Sequence, residues 1–272
     1  MQLDETTFAQ RYGPWGIVAG ASNGIGAAYA RSMAKRGLNV VLMARRGDAL
    51  AQTADEIEAS YRVETRVLVA DLTSADVLDR VGEATADLDI GLMVYNAGAV
   101  HGVARYLDQQ VRDPLYLVDL SCRGPVLWTH HFGRRLRARR RGGMVLMSSM
   151  SGLVGSALTV TYSATKAFDI NLAEGLAIEL APYGVDVMAV VAGLTRTPTM
   201  VDSGARLEGF PMMEPDEVSE EAFDALGSGS VLVSGDNKER FDMIRAAPRA
   251  EAVEWMSQGA AFMYHVEWPL GE

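Results

Sequence analysis

The sequence predicts an α/β fold in which helices cover both faces of a doubly wound parallel sheet, giving three layers. Short apolar runs alternate with longer stretches of helical periodicity along most of the chain. Strands that are apolar on both faces are typical of a sheet buried between helices. Right-handed crossovers between such strands produce the doubly wound arrangement. A glycine-rich turn after the first predicted strand fits this fold, since such turns bind phosphate groups.

The first half of the chain alternates strands with helices. The predicted strands are 15–19, 38–44, 66–70 and 91–95, and the predicted helices are 27–36, 48–60 and 74–85. The strands are short apolar runs and the helices follow the helical period. Gly37 directly follows the first helix, at the position where a glycine ends many helices.

The alternation continues to about residue 191 and then loosens. The predicted elements are a helix at 114–139, a strand at 143–148, a helix at 162–180, a strand at 185–191, a helix at 217–226 and a strand at 231–233. The helix at 162–180 is strongly periodic, with Lys166, Glu174 and Glu179 on its polar positions. Gly227 closes the helix at 217–226.

We predict one domain over residues 1–272, with a substrate loop at about 197–215. The chain contains no internal repeat and no linker rich in Pro, Gly or Ser. The loop contains Met200, Met212 and Met213, and a mobile methionine-bearing segment beside a ligand site suits an apolar lid. A loosely packed surface loop with no role in ligand binding would explain the same composition equally well.

The composition is that of a globular protein with an acidic surface. Hydrophobic residues make up 49% and charged residues 22% of the chain, and the formal charge is -10. These fractions argue against disorder, and the negative charge disfavours a nucleic-acid partner. Six arginines between Arg134 and Arg141 are interpreted as the solvated end of a helix, where cations suit the helix dipole.

Cys122 is the only cysteine, so an intrachain disulfide is impossible. This fits a reducing compartment, and a buried structural thiol is a better interpretation of Cys122 than a nucleophile. No apolar run approaches the ~18 residues of a membrane helix, and the N-terminal residues show no apolar signal core. We therefore expect a cytoplasmic protein with no membrane partner.

The segment from Gly20 to Gly26 links the first strand to the first helix with the spacing Gly-x-x-x-Gly-x-Gly. At this place glycines permit a tight turn and let the backbone approach a pyrophosphate, while the helix N-terminus supplies N–H donors. Three glycines alone are a weak signal, which the flanking strand and helix strengthen. The expected contacts of a dinucleotide are Gly20, Ser22, Asn23, Gly24, Ile25 and Gly26.

The end of the second strand indicates which dinucleotide binds. An acid at this position accepts from the ribose 2′-hydroxyl in NAD sites, but here Arg45 and Arg46 follow the strand. A guanidinium suits a 2′-phosphate, so NADP(H) is preferred over NAD(H). Alternatively, both arginines are surface residues offset by Asp48. Asp71, after the third strand, either bonds the adenine or caps the next helix.

Tyr162 and Lys166 lie four residues apart near the start of a predicted helix, and therefore on one helix face. A close ammonium favours the phenolate over the phenol. A tyrosine tuned in this way can protonate an alkoxide or deprotonate an alcohol near neutral pH. The spacing alone is common in ordinary helices, so it carries weight only together with other motifs.

Taken in order, the motifs resemble those of the short-chain dehydrogenases/reductases, whose domain is a Rossmann fold. The resemblance covers the chain from Tyr12 to about Gly235. The matching motifs are Gly20 to Gly26, Asn96-Ala97-Gly98, Ser149, Tyr162 with Lys166, and Ala192-Gly193 to Thr197. Ser149 stands thirteen residues before Tyr162, and Ser148 is in the wrong register.

The resemblance implies a role for each matched residue. Tyr162 would be the acid/base, Ser149 would hydrogen-bond the substrate oxygen, and Lys166 would bind the nicotinamide ribose. Hydride would pass between the nicotinamide and a carbonyl carbon, and no metal is implied. Further cofactor contacts would come from Asp71, Leu72, Asn96, Ala97, Gly98, Tyr162, Lys166, Gly193, Thr195 and Thr197.

Three positions depart from the family pattern. Ala19 replaces a threonine and Ala192 replaces a proline. Ser121 stands at the position of the family's fourth catalytic residue, an asparagine that holds a water linking the lysine to solvent. A serine is shorter and offers fewer hydrogen bonds, so the departure concerns the proton relay rather than hydride transfer.

The expected substrate is a small hydrophobic ketone, aldehyde or secondary alcohol, as for a carbonyl reductase. The segments expected to face it, around His101, 151–158, Leu194 and 200–213, are chiefly small or apolar. One alternative is a family member acting on steroids, polyketides or fatty acyl groups. Another is a cofactor-binding regulator with little catalysis. The resemblance also implies a homodimer or homotetramer, paired through the helices that precede Ser149 and carry Tyr162.

Overall fold

Seven parallel strands form the centre of the computed structural model, which describes residues 5–98 and 103–271. The strands are β1 (Trp15–Ala19), β2 (Asn39–Ala44), β3 (Thr65–Val69), β4 (Ile90–Tyr95), β5 (Gly142–Ser149), β6 (Val185–Ala192) and β7 (Val231–Val233). Their order is β3-β2-β1-β4-β5-β6-β7, and each neighbouring pair is parallel. The chain reverses its direction of winding between β1 and β4, so the predicted doubly wound sheet is confirmed.

Helices pack on both faces of this sheet. They are α1 (Glu5–Tyr12), α2 (Gly24–Lys35), α3 (Gly47–Ser60), α4 (Val77–Ala84), α5 (Arg112–Val118), α6 (Gly124–Arg139), α7 (Val160–Leu180), α8 (Pro198–Val201), α9 (Pro215–Ala225), α10 (Lys238–Ala246) and α11 (Arg249–Met263). In the part of the chain that the structure describes, no helix is both long and apolar enough to cross a membrane.

The apolar core lies in two layers, one on each face of the sheet. Tyr29 of α2 and Phe223 of α9 belong to the first layer, where their rings meet edge to face at 5.2 Å. Trp128 and Phe132 of α6 belong to the second layer, and both are fully buried. Because β1, β4 and β5 are buried on both faces, their side chains contribute to both layers, as the apolar runs predict.

The long helix predicted at 114–139 is interrupted by a π-helical segment, Asp119–Arg123, between α5 and α6. Pro125 has no N–H to donate, so the carbonyl of Leu120 lacks the helical partner that a π turn would give it. The Tyr95 hydroxyl donates to that carbonyl at 2.6 Å instead. Gly124 makes this possible, because a Cβ there would lie 2.0 Å from the Tyr95 oxygen.

Helices α1, α10 and α11 were not predicted from the sequence. Each buries few large side chains: α1 contributes Phe8 and Tyr12, α10 contributes Phe241 and Ile244, and α11 buries chiefly small residues. Their apolar periodicity is correspondingly weak. The boundary at Gly37 is as predicted, since Leu38 N donates to Met33 O at 3.1 Å in the bond typical of a glycine helix end.

The interpretation of the arginine run as a solvated helix end is wrong for two of its members. Arg135 donates to the carbonyl oxygens of Thr85 and Leu88. Arg139 has a side chain only 10% exposed and contacts Asp89 and the carbonyl of Gly13. Arg135 joins α6 to the loop before β4, and Arg139 joins it to that loop and to the loop before β1, because those loops leave backbone carbonyls without strand partners.

Candidate active site

The carboxyl ends of the central strands open onto a cleft of about 580 Å³. Such a crevice at the point where the strand order reverses is where doubly wound sheets bind ligands. The predicted site residues that line it are Gly20, Ser22, Asn23, Gly24, Ile25, Arg45, Arg46, Asp71, Leu72, Asn96, Ala97, Gly98, Ser149, Tyr162, Lys166, Gly193, Thr195 and Thr197. Gly26 and Ser121 were also predicted but lie behind the lining.

The glycine turn forms a cradle that side chains would fill. Gly24 has φ +53°, and a Cβ there would lie 3.0 Å from the side chain of Thr197. The side chain of Asn23, the N-cap of α2, does not cap the helix, so the first N–H groups of α2 remain available to an anion. These features fit the pyrophosphate of a dinucleotide.

Gly26 and Asn96 hold this cradle together from behind. The Asn96 amide donates to Gly20 O at 3.1 Å, and the Asn96 backbone N–H donates to Ala19 O at 3.0 Å. A Cβ on Gly26 would lie 1.9 Å from Gly20 O and 2.6 Å from the Asn96 amide nitrogen. The helix therefore approaches the strand as closely as it does only because residue 26 lacks a side chain.

The end of β2 presents positive charge to the cleft. Arg46 donates to the Ser22 hydroxyl at 3.1 Å, and the Arg45 guanidinium lies 5.9 Å from the centre of the Tyr116 ring. Asp48, which could have offset the arginines, does not line the cleft. The guanidinium groups of Arg45 and Arg46 therefore lie at the rim of the cleft, where the 2′ substituent of a ribose would lie in this fold.

Asp71 shapes the loop after β3. Its carboxylate accepts from both the N–H and the hydroxyl of Thr73, at 2.9 and 2.8 Å. Burial acts to raise the pKa of Asp71, but these hydrogen bonds and the charge of Arg45 bring it below its usual range. Because α4 begins at Val77 after Asp76, Asp71 is not the cap of that helix.

Lys166 is buried beneath the cleft on α7, one turn after Tyr162. Its ammonium donates to Met147 O at 2.6 Å and to the Asp169 carboxylate at 3.1 Å, and lies 6.0 Å from the centre of the Tyr162 ring. Burial lowers the pKa of Lys166, but the Asp169 carboxylate raises it, and the net shift is upward. The lysine therefore stays charged.

Ser149 ends β5 and faces the cleft, whereas Ser148 is turned toward α7. The Ser149 hydroxyl oxygen accepts from Ser151 N at 3.2 Å, which leaves its hydrogen available to a ligand. The Ser148 hydroxyl donates to Lys166 O at 2.7 Å, a bond between strand and helix. Both serines line the cleft, but only the Ser148 hydroxyl is engaged as a donor within the protein.

Ser121 lies in the π-helical segment beside Lys166. A Cβ on Gly98 would be 3.0 Å from the Ser121 hydroxyl and 3.2 Å from the Lys166 ammonium. The hydroxyl is buried and has no hydrogen-bond partner within the described residues. Nearby, burial raises the pKa of the Cys122 thiol to about 11, which agrees with a structural rather than a nucleophilic cysteine.

Two of the residues that sequence reasoning missed lie next to the predicted reactive side chains. Asp169, buried against Lys166, could have been found as an acid three positions after the lysine on the same helix face. Tyr264 follows α11 and lines the cleft; burial raises its pKa, with a smaller effect of nearby Tyr162. No local pattern marks Tyr264, because the chain brings it to the site from a distant segment.

Only part of the predicted substrate loop reaches the cleft. Met200 lines it, whereas Met213 pairs with Leu194 O at 3.0 Å and packs against the core. Between them, Arg206 N donates to Met263 O at 2.7 Å, at the end of α11. The loop is thus joined to the C-terminal helix. His101, expected near the substrate, lies outside the described residues.

Comparison with known proteins gives concordant matches. A family model described as short chain dehydrogenase matches residues 15–207. A 7beta-hydroxysteroid dehydrogenase from Clostridium sardiniense is 35% identical over 251 residues, covering 90% of this chain and 95% of that protein. A solved structure of a 7beta-hydroxysteroid dehydrogenase has a TM-score of 0.85 at 31% identity, covering 94% of this chain and 99% of its own.

A further similar structure is a short-chain dehydrogenase from Sphingobium yanoikuyae, solved in complex with NADPH. Its TM-score is 0.75 at 28% identity, and the match covers 87% of this chain and 97% of that chain. The similarity therefore extends over the sheet and the cleft together.

We expect Gly26→Ala to lower the free energy of unfolding by about 1–3 kcal/mol, because the new methyl group collides with Gly20 O and must displace backbone. Gly175→Ala is the control: it lies on α7 with nothing near its Cβ, and should raise stability by about 0.5–1 kcal/mol. Urea denaturation measures both. If Gly26→Ala were as stable as the wild-type protein, the close approach of α2 to Gly20 O would not constrain residue 26.

Proposed function

This chain belongs to the short-chain dehydrogenase family, and on that premise we propose that it is an NADP(H)-dependent oxidoreductase. The substrate that we propose is a hydrophobic ketone or aldehyde, or the corresponding secondary alcohol. The observation that carries the proposal is the convergence of Ser149, Tyr162 and Lys166 on the cleft that holds the glycine turn. A dinucleotide bound there would supply or accept the hydride.

The protein's own part in the reaction is to orient the carbonyl and to move one proton. In reduction, the Ser149 hydroxyl donates to the substrate oxygen and stabilises the charge that develops on it. The Tyr162 hydroxyl donates its proton to that oxygen, and the Lys166 ammonium stabilises the phenolate left behind. In oxidation the same phenolate takes the proton of the alcohol.

The preference for NADP(H) is supported by the rim of the cleft. Arg45 and Arg46 follow β2, and no acid from the end of that strand lines the cleft. A guanidinium binds a phosphate through parallel N–H donors. In this proposal Arg46 and Ser22, already joined at 3.1 Å, bind the 2′-phosphate together. The NADPH complex of a family member is consistent with it.

A hydroxysteroid is the second candidate substrate, and the similarity to 7beta-hydroxysteroid dehydrogenases favours it. A fused-ring ketone is large and apolar, so it needs a cleft with an apolar wall. Met200 and Tyr264 line the cleft, Tyr264 near Tyr162, and in this proposal they supply such a wall. In this proposal the loop at 197–215 covers the bound substrate, and residues 1–272 act as one domain.

We also propose that the chain forms a homodimer or homotetramer through α5, α6 and α7. Leu115 and Val118 on α5, Val126 on α6 and Ile178 on α7 are exposed apolar side chains. Burial of such side chains between copies removes apolar surface from water. These helices are the ones that the family resemblance implies for pairing.

Tyr162→Phe is expected to lower kcat/KM for carbonyl reduction by about 10²–10⁴-fold, because it removes the acid and keeps the ring. The assay follows NADPH absorbance with simple hydrophobic ketones and with ketosteroids. Tyr183→Phe is the matched control, since Tyr183 packs on Arg137 and Arg140 away from the cleft. It should leave the rate unchanged.

A wild-type protein that binds NADPH tightly but reduces none of these compounds would contradict the proposed catalysis and support the regulator alternative. A faster reaction with ketosteroids than with simple ketones would favour the hydroxysteroid candidate.

Arg46→Ala should weaken NADPH binding by about tenfold or more, the effect of a lost charged hydrogen bond, and leave NADH binding nearly unchanged. Arg45→Ala should act in the same direction. Arg31→Ala is the control, because Arg31 pairs with Asp216 outside the cleft. Fluorescence titration gives the affinities. An unchanged NADPH/NADH ratio in both variants would contradict the assignment of the 2′-phosphate site.

A further inference from the structure

A buried ion pair lies directly behind the proposed catalytic residues. Asp169 is 2% exposed and Lys166 is 3% exposed, and the ammonium and carboxylate are 3.1 Å apart. The other carboxylate oxygen of Asp169 has no hydrogen-bond partner within the described residues. Removing a carboxylate from water without satisfying both oxygens is costly. An apolar residue would serve packing better, so the carboxylate requires a functional explanation.

Among the residues that the structure describes, Lys166 is the only charged group that interacts with Asp169. Tyr95 on β4 and Cys122 in the π-helical segment both interact with it. Burial raises the pKa of each, for Cys122 to about 11, so both are neutral near pH 7. On the cleft side of the pair, the ring of Tyr162 lies near the Lys166 ammonium.

The ionisation of Asp169 is itself placed near neutrality. Burial raises its pKa to about 6, against the lowering effect of Lys166. Above that pH the carboxylate is charged and cancels part of the field of the ammonium. Ser121, where the family places an asparagine, contributes a hydroxyl near the same ammonium, and this hydroxyl has no hydrogen-bond partner among the residues that the structure describes. Asp169 is therefore the charged partner of the Lys166 ammonium, which also donates to Met147 O.

We propose that Asp169 is a positioning residue that fixes the Lys166 ammonium behind Tyr162 and offsets part of its charge. The inference rests on the proposed function of Tyr162 and Lys166. An ammonium without this partner would favour the phenolate more strongly. With the partner, Tyr162 is better kept as a proton donor. The pair thus sets how readily the phenol gives up its proton, and so the pH range over which it can protonate the substrate oxygen.

The chain contains three lysines, Lys35, Lys166 and Lys238, which makes the pair directly observable. Lysine labelled with ¹³C at the ε carbon gives three NMR signals, and Lys166→Arg assigns the buried one. We expect the Lys166 signal alone to show an inflection near pH 6, as Asp169 ionises. Asp169→Asn should abolish it. A wild-type Lys166 signal that coincides with those of the exposed Lys35 and Lys238, or that Asp169→Asn leaves unchanged, would overturn the proposal. A displaced signal without an inflection means that Asp169 stays ionised over that range, which supports the pair.

The second readout is the pH profile of alcohol oxidation, which requires the phenolate. In Asp169→Asn the pH of half-maximal kcat/KM should fall by about 1 unit, the lower end of the effect of a nearby charge. Asp186→Asn is the control: Asp186 pairs with Arg11 at 2.6 Å at the opposite end of the sheet. It should lower Tm and leave the profile unchanged.

An unchanged profile in a folded Asp169→Asn enzyme would overturn the proposal. If that variant does not fold, the wild-type lysine spectrum still decides, since it needs no substitution at Asp169. A wild-type enzyme that is inert with every carbonyl and alcohol contradicts the proposed function instead. In that case the spectrum, recorded without cofactor or substrate, tests the ion pair by itself.

Discussion

Lys166 both donates a hydrogen bond to the end of β5 and accepts one from it, and the geometry of the cleft depends on these two bonds. Its ammonium donates to Met147 O, and its own carbonyl accepts from the Ser148 hydroxyl. The turn after β5 packs closely against the same residue: a Cβ on Gly152 would lie 2.6 Å from the Lys166 carbonyl carbon. With α7 fixed at this point, Tyr162 lies one turn earlier, on the side of Ser149.

The two halves of the cleft are built by different means. The glycine-rich side is built largely from backbone: glycines, helix N–H groups and one asparagine that ties β4 to β1, with the side chains of Ser22, Arg45 and Arg46 at its rim. The reactive side consists of side chains held by a buried ion pair. The chain is acidic overall, with a formal charge of -10, so the arginines after β2 provide a local attraction for an anionic ligand.

Much of the fold and of the glycine-rich side of the cleft could be predicted from the sequence, because both depend on local patterns. Strand ends and glycine spacing are visible in short windows, and parallel order follows from crossover handedness. Residues whose role depends on distant contacts could not be predicted. Tyr264 reaches the cleft through the packing of α11, and Arg135 and Arg139 find carbonyls that only the folded chain leaves unpaired. The π-helical segment likewise follows from Pro125 and Tyr95 together.

The joining of the 197–215 loop to the end of α11 has a consequence for ligand exchange. Arg206 binds the carbonyl of Met263 and its guanidinium stacks on Phe262 at 4.2 Å, while Tyr264 lies on the cleft itself. We therefore expect the loop and the C-terminal segment to move away from the sheet as one local unit. Such a local opening costs far less free energy than global unfolding. Under the proposed function, a product would leave through this opening while Ser149 and Tyr162 stay in place on β5 and α7.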